Sequence, residues 1–236
     1  MTSLSKNARI AGLLYLTLLG APLRLIYIPN RLFVTGNPSA TASNIAAHEM
    51  LFRCGILADL FTGVMSLFLM LALYRLLKGV NEGLAVVVIL GSLMSTPIYF
   101  VNTLNDAAAL LCARGTNFLS VFDKPQRDAL VVLFLRLHGQ GVLANQVFWG
   151  LWLFPFGLLV YRSRFLPRVL GIWLMVNCFA YLALSLTGLL LPQYEARVWN
   201  IVFSLLFGEL AIMLWLLIRG AKPRPLVVPA PSSAAG

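Results

Sequence analysis

The chain has 236 residues, of which 60% are hydrophobic and only 11% charged, and its mean hydropathy is +0.86. A soluble domain carries about 25% charged residues, so this chain cannot cover a globular surface with polar groups, and its composition places it in a bilayer. The net charge of +10 does not point to nucleic acid, because the bases sit in short clusters between apolar runs, as topology signals do, and no stretch interleaves bases with aromatics.

In chain order, Lys6 and Arg9 precede an apolar run from Ile10 to Ile28 that only Arg24 interrupts. The start imitates a cleaved signal peptide. The run resumes as Leu25-Ile26-Tyr27-Ile28, however, which favours a retained span over about 10–28. Pro29, Asn30, Gly36 and Pro38 then mark a loop. The next helix is expected from about Asn44 to Lys78, capped by Thr41 or Ser43, with its membrane part over about 52–74. A turn at Gly79-Val80-Asn81 leads to a third helix, spanning about 84–106 with Pro97 as a kink. After a polar connection, Asp123-Lys124-Pro125 forms a good helix start, and the fourth span covers about 139–161. Pro167 opens a fifth over 168–190, and a sixth covers 198–218. The expected architecture is therefore all-α, a six-helix transmembrane bundle over residues 1–220, with a Pro-rich disordered tail over 221–236.

Six spans put both ends of the chain on one side. That side holds ten of the eighteen bases (Lys6, Arg9, Arg75, Lys78, Arg162, Arg164, Arg168, Arg219, Lys222 and Arg224) and, among the acids, only Glu82. The positive-inside rule makes it cytoplasmic. An internal echo, Gly55-Ile56-Leu57-Ala58-Asp59 against Gly141-Val142-Leu143-Ala144-Asn145, fits repeated hairpins of helices two-three and four-five. Chance similarity between apolar segments accounts for it equally well.

Ionisable groups inside spans cost a few kcal/mol or more and normally face the bundle interior. His48, Phe52, Gly55, Asp59, Thr62 and Ser66 follow the spacing of one helical face. Ser95, Tyr99, Asn102 and Asp106 do so on helix three, and His138, Gly141, Asn145 and Trp149 on helix four. These stripes lie toward one end of their spans. They predict a polar pocket open to the extracytoplasmic side, with a rim of His48, Glu49, Arg53, Asp106 and His138, a floor of Arg24, Asp59 and Asn145, and Asn102 between. Arg24 and Asp59 come out at similar depth, which predicts an ion pair, with snorkelling of Arg24 toward headgroups as the alternative. Glu49 and Arg53 stand in the favourable order for a helical pair, which reads equally well as an exposed salt bridge. Glu209, near the middle of helix six, is expected to be neutral or hydrogen-bonded to Asn177 of helix five.

Catalytic templates are missing. His48-Glu49 begins like a zinc-protease motif, but Phe52 stands where the second histidine is needed. Two histidines cannot build a three-histidine zinc site, and a bis-histidine haem through His48 and His138 is disfavoured. Cys54, Cys112 and Cys178 lack C-x-x-C spacing, and a Cys54–Cys112 disulfide is disfavoured by their unequal heights. No metal or cofactor is expected.

Several stretches nevertheless carry a resemblance: Ala8-Arg9-Ile10-Ala11-Gly12, Asn44-Ile45 followed by Glu49 and Phe52-Arg53, Leu73-Tyr74-Arg75-Leu76-Leu77, Ser163-Arg164-Phe165-Leu166-Pro167-Arg168-Val169-Leu170-Gly171, and Gly208-Glu209-Leu210 with Trp215-Leu216-Leu217-Ile218-Arg219-Gly220. In this order they resemble a family of bacterial six-helix integral membrane proteins described only as a domain of unknown function, over about residues 7–220. The resemblance implies a bacterial inner-membrane protein and supplies no activity. Three functions remain open. The first is a carrier, receptor or accessory subunit whose outward pocket binds a small polar molecule or ion. The second is an intramembrane enzyme using Asp59, Glu49 or His138 on a lipid-derived substrate. The third is a structural subunit in which the polar groups satisfy one another, with the bilayer as its partner.

Overall fold

Hydrocarbon offers backbone groups no partner, so a chain of this composition closes its hydrogen bonds within helices. The computed structural model describes residues 3–221, and among them all regular structure is helical. Six helical stretches are long and apolar enough to cross a membrane: α1 (Ser3–Leu32), α3 (Glu49–Leu77), α4 (Glu82–Arg114), α5 (Lys124–Arg162), α6 (Arg168–Leu190) and α7 (Pro192–Ile218). A seventh helix, α2 (Pro38–Ala47), lies between the first two spans. The tail expected over 221–236 lies outside the described residues, apart from Ala221.

Local chemistry sets the boundaries. Asn37 caps α2 by accepting from the Ala40 N–H, with Pro38 in its first turn. The helix therefore begins well before Asn44, and the loop expected from Pro29 shrinks to residues 33–37. His48 leaves helical geometry (φ −115°, ψ 39°) and separates α2 from α3. The single long helix expected from Asn44 is two helices, and His48 is not the top of the Asp59 stripe. Asn81 caps α4, which ends on Gly115 in the left-handed conformation. Asp123 and Gln126 form a capping box at the start of α5. At ~1.5 Å per residue this helix is longer than a hydrocarbon core of about 30 Å, so its first turns stand outside.

The first and last spans are irregular. Pro22 and Pro29 each remove an N–H from α1; near them come a 3-10 turn at Leu18–Gly20 and a π-helical turn at Leu23–Tyr27. In α7, Glu195–Val202 and Phe207–Ile218 are joined by non-helical residues 203–206.

Helix α5 is the mast of the bundle, packed most extensively against α4 and α6. Gly220 stands against Ser5, and the Gly12 Cα against the backbone of Leu216 and Leu217. Both ends of the described chain thus share one side, here the terminal side. The core there includes Tyr15, Leu73, Leu153, Phe156, Leu174 and Ile212. A second core, on the far side, gathers Ile28, Leu32, Ile45, Phe52, Ala109 and Val131. Between the two, four helices carry a buried polar layer. Cys54, Cys112 and Cys178 are free thiols.

In α5 and α6, Gly157 and Gly171 let two backbones touch: a Cβ on either would lie 2.6 Å from the other's carbonyl oxygen. Gly171→Val is expected to destabilise the fold by about 1–3 kcal/mol through overpacking, read as the shift of an unfolding midpoint in detergent. Gly139→Ala, where nothing lies within 4 Å, is expected to stabilise by up to about 1 kcal/mol through helix propensity.

Candidate functional site

The polar layer is built around Arg24. The π-helical turn carries it into the bundle, where it is 2% exposed. Its Nε donates to Asp106 Oδ2 at 2.7 Å and its terminal nitrogen to Asp106 Oδ1, a two-point pair between a guanidinium and a carboxylate that is fully buried. The rings of Phe33 and Phe52 flank the guanidinium, each 5.7 Å away. Space for it comes from α3, since a Cβ on Gly55 would lie 2.3 Å from Ile28 Cδ1 and 3.3 Å from Arg24 Cδ.

Asp59, also buried, accepts from the Tyr99 hydroxyl at 3.1 Å. His138 Nδ1 lies 3.3 Å from Asp106 Oδ2, but outside hydrogen-bond geometry, and neither ring nitrogen has a hydrogen-bond partner among the described residues. Asn102 Nδ2 donates to the His138 carbonyl at 3.0 Å. Gly141 admits Asn102, whose Oδ1 would stand 2.3 Å from a Cβ there. Asn145 is buried in the same layer with its Oδ1 unpartnered among the described residues.

Asp59, Asp106 and His138 offer ligand atoms within 4.8 Å of one another, the one group of this kind among the described residues. A metal ion there would share Asp106 with a guanidinium that already engages both its oxygens, and would stand beside a fixed positive charge. The donor set fits an arginine-neutralised acid pair better than a metal centre.

The structure thus brings together Arg24, Asp59, Asn102, Asp106, His138 and Asn145, and leaves three candidates apart. His48 is exposed, its Nδ1 3.0 Å from the Asn44 carbonyl oxygen. Glu49 pairs on the surface with Arg53 Nε at 2.7 Å and Arg114 Nε at 3.4 Å, contacts worth little in stability. Arg24 is bonded to Asp106 rather than to Asp59. Asp106 is not at a rim, because α4 runs two turns past it to Arg114. Glu209 does not meet Asn177. It accepts from the Tyr15 hydroxyl at 2.7 Å and the Tyr181 hydroxyl at 2.8 Å, while Asn177 Nδ2 donates to the Leu206 carbonyl.

Beside this layer lies a cavity of about 580 Å³. None of the residues named for the rim and floor of the expected pocket lines it, and neither does Asn102, but Thr62, Ser66, Ser95, Tyr99 and Trp149 of the same helical stripes do. Its walls are mainly apolar and aromatic, from α1, α3, α4, α5 and α7, with Tyr181 from α6. Leu19, Ile26, Trp199, Phe203 and Phe207 line it and are also exposed on the outside of the bundle. It therefore opens sideways, between the far half of α1 and the first half of α7. Glu209 stands within it, and Tyr99 both lines it and donates to Asp59. Glu209 was legible as an intramembrane acid and the polar stripes as pocket walls, but nothing in the sequence placed the two beside one void.

Removing one partner of the ion pair leaves an uncompensated buried charge. Arg24→Gln and Asp106→Asn are each expected to cost about 3–5 kcal/mol, with the double variant costing clearly less than the sum. Asp59→Asn keeps an oxygen for Tyr99 and is expected to cost only about 1 kcal/mol. Equilibrium unfolding in mixed micelles measures all four, and additive losses for the pair would count against the assigned contact.

No curated protein and no solved structure matches the chain. A family model described as a domain of unknown function (DUF4386) matches residues 10–220, which include the polar layer and the whole cavity lining. Matched along nearly its whole length and holding six helices fit to cross a bilayer, the chain is a multi-pass membrane protein belonging to the DUF4386 family.

Proposed function

We propose that this protein takes a lipophilic small molecule with a hydrogen-bonding group from the bilayer and holds it in the cavity between α1 and α7, as a binding protein or carrier. The cavity's sideways opening carries this reading. A pocket for a water-soluble metabolite would open to solvent through polar walls. Here the mouth is framed by exposed apolar and aromatic side chains within spans, and the polar groups (Ser66, Ser95, Gln146, Tyr99 and Glu209) lie among the lining. Apolar walls with a few placed polar groups are the usual character of small-molecule sites. The reading moves the ligand away from the expected polar pocket, whose charged residues engage one another instead.

The bases concentrated on the terminal side support an orientation with both ends in the cytoplasm of a bacterial cell, in the inner membrane. In that orientation the mouth faces the lipid of the outward half.

In nanodiscs, the uncharged fluorescent probe N-phenyl-1-naphthylamine is expected to give a saturable signal above that of empty discs. Ala21 lines the cavity, and Ala21→Trp is expected to weaken that binding at least tenfold with an unchanged melting temperature. A signal that rises linearly with probe and equals that of empty discs would remove the cavity reading.

A further inference from the structure

Resting on the cavity reading above, we infer that the site selects lipophilic cations, protonated amines or onium ions carried on an apolar body, with Glu209 as their counter-charge. Among the described residues Glu209 is the one acidic or basic side chain lining the cavity, with no lysine, arginine or histidine beside it in the lining. The tyrosine hydroxyls of α1 and α6 donate to its two oxygens, one to each. These bonds orient the carboxylate without supplying positive charge. Among the described residues Glu209 forms no ion pair, and the buried guanidinium of Arg24 is engaged by Asp106.

An acid inside a span that lacks a basic partner is costly to ionise, and a ligand that brings a positive charge offsets that cost. The surrounding rings suit the same ligand. Tyr15 and Trp152 stand 6.5 Å apart and Trp149 and Tyr181 5.9 Å apart, all four lining the cavity. Aromatic faces attract cations, and do so more strongly where water is excluded. An anionic amphiphile would place a second negative charge beside the first. The chemistry thus separates ligands of one shape by their sign.

The test uses two ions of nearly the same shape, tetraphenylphosphonium and tetraphenylborate, with the uncharged naphthylamine as a third probe. All three are titrated into the full-length protein in dodecyl maltoside, an uncharged detergent, for wild type and for Glu209→Gln. Comparing the two proteins cancels partition into the micelle. Tetraphenylphosphonium is expected to bind Glu209→Gln at least tenfold more weakly than wild type. The naphthylamine should remain bound by both proteins, and tetraphenylborate should bind the variant no more weakly than wild type. An unchanged phosphonium affinity, with the naphthylamine still bound by both proteins, would overturn the charge selection and leave the cavity reading standing. Binding of no probe by either protein would overturn both. Should Glu209→Gln not fold, wild type decides alone: phosphonium should raise its melting temperature and borate should not, whereas equal effects, or an effect of borate only, overturn the inference.

Discussion

A guanidinium inside a hydrocarbon layer must be neutralised, and the arrangement of this bundle follows from where Arg24 finds its neutraliser. Asp106 sits on the third span, so the pair ties the far half of α1 to α4. Gly55 removes the side chain that would hold α3 away from Arg24. The terminal half of α1 is tied elsewhere, with Gly12 against the α7 backbone. A helix fixed to α7 at one end and to α4 at the other must diverge from α7 along its length, and the cavity occupies that divergence. A buried ion pair adds little net stability compared with a well-packed apolar contact. What it adds here is register: sliding α1 by one turn, about 5.4 Å, would separate Arg24 from its partner and leave two buried acids uncompensated.

The number of spans was legible because hydropathy registers bilayer thickness directly. The membership of the polar layer was also legible in large part, since Asp59, Asn102, Asp106, His138 and Asn145 keep helical spacing on regular helices. The pairings were not. Arg24 lies in a π-helical turn between two prolines, and a face counted at 3.6 residues per turn drifts once a wider turn intervenes. Counting depth placed Arg24 beside Asp59 on the floor and Asp106 at the rim, whereas the structure pairs Arg24 with Asp106. Glu209 failed for a related reason. Residues 203–206 leave the helix, so the face inferred for a continuous sixth helix does not carry across the break, and Glu209 turns to Tyr15 and Tyr181 instead of Asn177. His48 shows the same limit at a helix end, where the turn into α3 removes it from the stripe that spacing assigned to it.

The internal echo gains a physical meaning that spacing could not supply. Its two glycines, Gly55 and Gly141, each stand where a neighbouring helix presses side chains inward, Ile28 and Arg24 at the first and Asn102 at the second. Four residues on, the echoed pair Asp59 and Asn145 places a buried oxygen in the layer. Small residue, then polar residue one turn later, is a local solution to seating a hydrogen-bonding group between helices. Its recurrence follows from that shared task, whether or not the hairpins descend from one another.

The two intramembrane acid centres differ in one respect, and under the function proposed above that difference separates scaffold from site. At Asp106 the protein supplies the opposite charge itself, and the side chain is sealed from every surface. At Glu209 it supplies only hydroxyl donors, and the carboxylate borders a void. A centre neutralised from within gains nothing from a further ion, whereas one left short of positive charge does. Tyr99 stands between them, with its ring on the cavity and its hydroxyl on Asp59. A ligand in the cavity that displaced this ring would also disturb the donor that Asp59 accepts from, so this one side chain links the cavity wall to the layer around Arg24.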